Sequence, residues 1–286
     1  LYPPSITNTV ISYSEFGQYE KAWSFLDRVR PFMPGDPQLM QAEAIIWLYL
    51  GQPSRALSLL EPGHVAQPDD ATMKAWWSFS LMETRQYERI LSEQGAPAVQ
   101  VIAMDLTGRS EEAGMLAAKL AADGDIGPLL HHLYRTEQFA ALAKFTESGW
   151  ADLAAFEDEF PARRFGHELM LDVAGAYARL GNATRFEDAM SRIRAAHDRI
   201  LQQNDTNPRL QLSEGRDLSL SGDADRAIEH LERAVDLLLL RPTALHELWP
   251  DLAMLPGDPR YVTLLARMEE QIANERARLG LEPLST

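Results

Sequence analysis

The chain has 286 residues, with 27 Lys and Arg against 42 Asp and Glu and a net charge of −15. That balance argues against a nucleic-acid or anionic-membrane surface, because phosphate binding depends on clustered Lys and Arg. There is no cysteine, which excludes disulfides, thiolate metal sites and cysteine nucleophiles.

Taken in order, residues 1–36 predict a helix pair at about 4–15 and 18–31, and residues 37–69 a second at about 38–50 and 53–62. A third pair opens at Asp70, whose side chain suits the cap of a helix over 71–83. Its partner starts near Gln86 and is cut short by Gly95 and Pro97. The pattern then slips, and shorter helices are expected at about 98–106, 110–122, 128–135 and 137–147. Gly149 to Arg164, with the acidic run Glu157-Asp158-Glu159, predicts a solvated connection. Helices follow from Gly166 to Leu180, Phe186 to Gln203, Asn207–Pro208 to Leu220, and about 224–239, with a short one from Leu245 to Leu255 broken at Pro250. The greasiest run, Leu237 to Leu240, is far shorter than the ~18 apolar residues of a membrane span. Asp258 caps the last helix, Pro259 starts it and Gly280 stops it.

The first 70 residues are one pattern written twice, 34 residues apart. Tyr13 matches Trp47, Gly17 matches Gly51, Ala22 matches Ala56, Leu26 matches Leu60 and Pro34 matches Pro68. A weaker copy follows, with Leu81 and Tyr87 in register, and Gly222, Ala227, Leu231 and Ala234 repeat the signature late in the chain. This wording resembles the tetratricopeptide repeat. The resemblance implies an all-α fold: a right-handed superhelical solenoid of helix hairpins, six or seven units, closed by a C-terminal capping helix. It divides the chain into an array over 1–148, a connection over 149–165, a second array over 166–257 and the terminal helix with its tail over 258–286. Within each unit, the glycine ends the first helix in a left-handed conformation. The alanine sits where two helices press together. The tail, from Asp258-Pro259-Arg260-Tyr261 to Leu265-Ala266-Arg267-Met268, also resembles segments that close repeat regions of bacterial winged-helix transcription regulators or nucleotidyl cyclases. The chain opens at Leu1 rather than Met and reads as part of something longer. A cytoplasmic location is favoured, and a periplasmic one stays open if an anchor precedes.

No catalytic or cofactor motif stands out: no Walker loop, dinucleotide fingerprint or nucleophile elbow. His167-Glu168 lacks the second His four residues on, since that position is Leu171. His131 and His132 point apart on a helix. Trp76-Trp77 reads as packing between helices. The expectation is therefore no enzyme, no cofactor and no metal.

In the family's geometry the first helix of each pair lines a concave groove. The resemblance places Thr7, Ile11 and Ser14 there from the first unit, Gln41, Ile45 and Leu48 from the second, and Ala75, Phe79 and Met82 from the third. Arg209 and Arg216 take equivalent positions in the second half and suit an acidic segment. The mostly uncharged strip is either open to a partner or covered by neighbouring turns or the chain's own segments. The expected function is a protein-interaction scaffold binding an apolar or helical partner segment. The alternatives are a regulatory or sensory region of a larger bacterial signalling protein or transcription regulator, and a helical enzyme without a visible site. Nucleic-acid binding and membrane insertion are not expected, and a homo-oligomer is left open.

Overall fold

The computed structural model describes residues 3–15, 17–160, 166–201, 208–236 and 249–282. Sixteen α-helices, two short 3-10 turns and no strand occur among them. The helices form seven hairpins. They are α1 (Pro3–Glu15) with α2 (Tyr19–Val29), α3 (Pro37–Tyr49) with α4 (Pro53–Ala66), and α5 (Ala71–Glu83) with α6 (Tyr87–Ser92). Next come α7 (Pro97–Leu106) with α8 (Ser110–Ala122) and α9 (Gly127–Arg135) with α10 (Phe139–Gly149). After a single short helix, α11 (Leu153–Glu159), follow α12 (Gly166–Arg179) with α13 (Ala183–Leu201) and α14 (Pro208–Leu220) with α15 (Ala224–Asp236). The last helix is α16 (Pro259–Arg278). First helices stack on first helices in the order α1, α3, α5, α7, α9, α12, α14, and second helices mostly pack on the first helix that follows.

One local device makes every hairpin turn. The N–H of the turn residue donates to the carbonyl three back, and the next N–H donates five back. The pairs are Gly17 to Ser14 with Gln18 to Tyr13, and Gly51 to Leu48 with Gln52 to Trp47. The same pair recurs at Arg85, Gly108, Glu137, Gly181 and Gly222. These turns fix the repeat register between residues 91 and 165, which the sequence pattern leaves open. The conformation is left-handed, with φ 65° at both Gly17 and Gly51. At Arg85 (φ 53°) and Glu137 (φ 56°) it is adopted by residues with a Cβ, at a cost on the order of 1 kcal/mol each. Ala22 and Ala56 are fully buried, as their place in the repeat requires.

The structure departs from the sequence reading in three places. Helix α4 runs through Pro62 to Ala66 rather than ending near 62. Its last turn survives the proline because tertiary packing holds it: the buried His64 ring stacks 4.0 Å from Trp77, and Gly63 lies so close to Met73 that a Cβ would overlap it. The stretch expected as a solvated connection contains α11, capped by Asp152. Leu153 and Phe156 from it are buried in the core that spans α9 to α13. Trp150 packs edge-on against Phe156 and Phe160 at 4.9 and 5.7 Å. Periodicity missed this helix because it is too short to show a repeat; its aromatic residues decide its burial. Finally, the helix expected over 245–255 is a 3-10 turn at Pro250–Met254, and 237–248 lie outside the described residues.

Helix α16 starts and ends where expected, with Asp258 accepting from the Arg260 N–H and Gly280 left-handed beyond its end. Tyr261, Leu264 and Met268 share one core with Ala227, Ile228, Leu231 and Val235 of α15. The helix does not stop there. It continues to α4, in the second hairpin.

Candidate functional site

The residues that the repeat places on the first-helix face divide into two sets. Gln41, Ile45 and Met82 are buried, as are Thr7 and Ser14. Ile45 belongs to the core cluster of α1 to α3 and Met82 to that of α3 to α7. Ile11, Leu48 and Phe79 are half-buried. Leu48 and Phe79 pack against one core cluster, built from α3 to α7. Ile11 packs against a separate one, built from α1 to α3. The Arg209 side chain lies outside the described residues.

Trp76 joins the two clusters, packing against both. Its ring centroid lies 6.4 Å from Tyr49 and 5.9 Å from Phe79. Leu48, Tyr49, Trp76 and Phe79 thus form a half-buried aromatic and aliphatic strip across α3 and α5. The sequence reading treated Trp76 and Trp77 alike. Consecutive residues sit about 100° apart on a helix, and the two separate accordingly. Trp77 is fully buried and its indole N–H donates to Glu61 at 3.0 Å, whereas Trp76 stays on the face.

The chain's own terminal helix reaches the same core cluster. Leu279, just past α16, packs against the cluster that Leu48, Trp76 and Phe79 also touch. Ile102 and Leu106 of α7 pack against the core shared by α15 and α16. Burial of Ile272 and a set of polar contacts seat the far end of α16. The Glu275 carboxylate, itself buried, accepts from the Ser54 backbone N–H at 2.9 Å and from the Ser54 hydroxyl. Helix α4 has no cap of its own, since Gln52 makes no side-chain bond to it. Glu275 therefore supplies the negative charge that a helix N-terminus favours. Arg85 pairs with Glu269, and the Arg276 guanidinium donates to the Thr84 carbonyl at 2.6 Å. Burial, followed by repulsion from Arg85, lowers the pKa of Arg276.

Arg216, the other basic residue expected to meet a partner, is 1% exposed. Its guanidinium donates to Asp251 and to Asp172, both at 2.8 Å, and lies 5.2 Å from the Trp249 ring. His131 holds the other oxygen of Asp172. Burial opposes ionisation in this cluster. His131 and Arg216 nonetheless hold the Asp172 carboxyl below its ordinary value, and Asp251 and Asp172 raise the pKa of Arg216. The chain's own acids thus occupy the place of an acidic partner. His132 turns the other way, to Asp105 at 2.9 Å, as the helical geometry of adjacent histidines requires.

A polar cleft of about 420 Å³ lies beside α13, α14 and the start of α15, lined by Arg194, His197, Glu214, Asp217 and Arg226 among others. Its charges partly satisfy one another: Arg194 donates to the Ser221 hydroxyl at 3.0 Å and lies 3.7 Å from Asp217. Burial raises the carboxyls of Glu214 and Asp217. Among the described residues no three His, Asp or Glu side chains converge as metal ligands, and no helix is long and apolar enough to cross a membrane. No protein-family model matches the chain, and no curated protein matches it.

Proposed function

We propose that the chain is a non-enzymatic interaction scaffold, a tetratricopeptide-like right-handed array that binds an apolar or helical segment of a partner protein on its first-helix face. The observation that carries this reading is the strip Leu48, Tyr49, Trp76 and Phe79, half-buried on two adjacent first helices. Large rings with one face packed and one face open offer contact area at low conformational cost, and such residues dominate binding energy where they occur. The strip carries no charge, so it suits the apolar face of a helix laid across it.

The test is a titration of a captured partner segment against native protein and Phe79→Ala, at low and high ionic strength. Phe79→Ala should weaken binding about tenfold or more, which is ~1.4 kcal/mol, while the melting temperature changes little. Steep loss of affinity in salt, with no effect of Phe79→Ala, would move the contact off this face.

A further inference from the structure

The polar cleft beside α13, α14 and the start of α15 is lined by four carboxylates, Asp198, Glu214, Asp217 and Asp223, against two guanidiniums, Arg194 and Arg226. Two of the carboxylates lack donors in the same place. The Asp217 side chain is 9% exposed. Its Oδ1 accepts from the Ser221 hydroxyl at 3.4 Å and lies 3.7 Å from Arg194. Among the described residues its Oδ2 has no hydrogen-bond donor; the His197 Nδ1 stands 4.0 Å away, beyond hydrogen-bond reach. Glu214 repeats the arrangement. Its Oε2 meets the His230 Nδ1 at 3.1 Å, whereas its Oε1 lies 4.0 Å from the same His197 Nδ1. His197 is buried and held from its other side, its Nε2 lying 2.8 Å from the Ser213 hydroxyl, so the gap is kept. Buried carboxylate oxygens are as a rule hydrogen-bonded, and these two face a cleft of about 420 Å³. Burial raises both carboxyls, a cost that a bound cation relieves.

We propose that this cleft is a binding site for a small organic amine, whose ammonium group sits between Asp217 Oδ2 and Glu214 Oε1. Both oxygens are acceptors only, and an ammonium brings a positive charge with three donors. Among the described residues no three acids or histidines converge as metal ligands, so a cation carrying its own N–H groups fits better than a bare ion. Asp198 and Asp223 line the same cleft and favour a second positive charge, as on a diamine. The volume lies within the range of small-molecule sites, and Leu218 is the one apolar residue in the lining, which suits a short polar ligand. Arg194 is the built-in competitor. Its side chain is 51% exposed and is no closer to Asp217 than 3.7 Å, so it can swing aside. A ligand here bridges α13 to α14 and α15, away from the strip on α3 and α5, and stabilises the last full hairpin by mass action.

The test is calorimetric titration of the full chain with 1,4-diaminobutane at low salt. Saturable binding of one molecule per chain is expected. Asp217→Asn and Glu214→Gln should each weaken it about tenfold or more. Arg194→Ala should tighten it about threefold or more, because the competitor is gone. Glu111→Gln removes the same charge at an exposed position and should leave the affinity within about twofold. The diamine should raise the melting temperature of the native chain and of Glu111→Gln but not of Asp217→Asn; the same melts show that each variant is folded. Absence of saturable binding overturns the proposal. So does an equal loss in Glu111→Gln and Asp217→Asn, which would mean that the net charge of −15 attracts the amine without a site. Weaker binding in Arg194→Ala removes the ammonium from Asp217. Tighter binding of Nα-acetyl-lysinamide than of the diamine overturns the small-amine assignment in favour of a lysine side chain from another protein.

Discussion

From α1 to α6 the hairpins are joined largely by apolar and aromatic side chains: Ile6, Val10, Leu26, Ile45 and Ile46 in one cluster, and Leu57, Leu60, Trp77 and Leu81 in the next. From α9 to α14 an apolar core is also present, but a buried ion cluster threads through the stack. It takes His131 from α9, Asp172 from α12, Arg216 from α14 and Asp251 from the 3-10 turn. The difference follows from regularity. Units of equal length present the same face at each step, so non-directional burial suffices to align them. Units of unequal length lack that common template. Directional bonds between specific partners select one arrangement there, in the manner of a polar residue that fixes register in a coiled coil.

The comparison is broken most severely by Arg216→Met. Removing the guanidinium leaves Asp172 and Asp251 buried without their cation, and the cost should be about 3–5 kcal/mol in urea unfolding. A loss below about 1 kcal/mol would mean that the cluster is as dispensable as a surface pair. In the first half the corresponding test is Ala56→Leu, which overpacks a fully buried position and should cost about 1–3 kcal/mol. An unchanged melting temperature would show that the α3–α4 hairpin opens to accept the side chain.

Gly175→Ala probes the second half through sterics alone. A Cβ at Gly175 would overlap the hydroxyl and two ring carbons of Tyr134, the carbons at 2.6 and 2.7 Å, so the variant should lose about 1–3 kcal/mol. Adding Tyr134→Phe should recover little of it, because the ring carbons remain. Full recovery in that double variant would show that the hydroxyl alone carries the clash.

The smallest effect is a pH response. Asp172 lies below its ordinary value of 3.8 in the fold. Its contribution is present above that value and is lost as pH falls through the depressed one. Asp217 has the opposite sign. Its carboxyl is raised by burial, so its contribution is present below the ordinary value and is lost as pH rises through the raised one. The stability of Asp217→Asn relative to native protein should therefore improve as the pH rises from below 3.8 toward neutrality. A flat difference over that range would show that Arg194 and Ser221 fully offset the burial.

The sequence by itself determined the hairpins. The left-handed turns at Gly17, Gly51, Gly181 and Gly222, the caps at Asp70 and Asp258, and the buried Ala22 and Ala56 rest on hydrogen bonds and side-chain volumes within a few residues. Such interactions are legible wherever the local pattern is. The candidate face was legible only as a set of positions, because its exposure depends on which neighbour lies over each one. Tertiary structure decided that Ile45 and Met82 are fully buried while Phe79 and Trp76 stay half-buried at the edge of the core. It also turned Arg216 toward Asp172 and Asp251 and brought Glu275 to Ser54 across 221 residues. Those outcomes depend on the rotation accumulated from one hairpin to the next. A small change per unit is summed over seven units, and no local pattern encodes the sum.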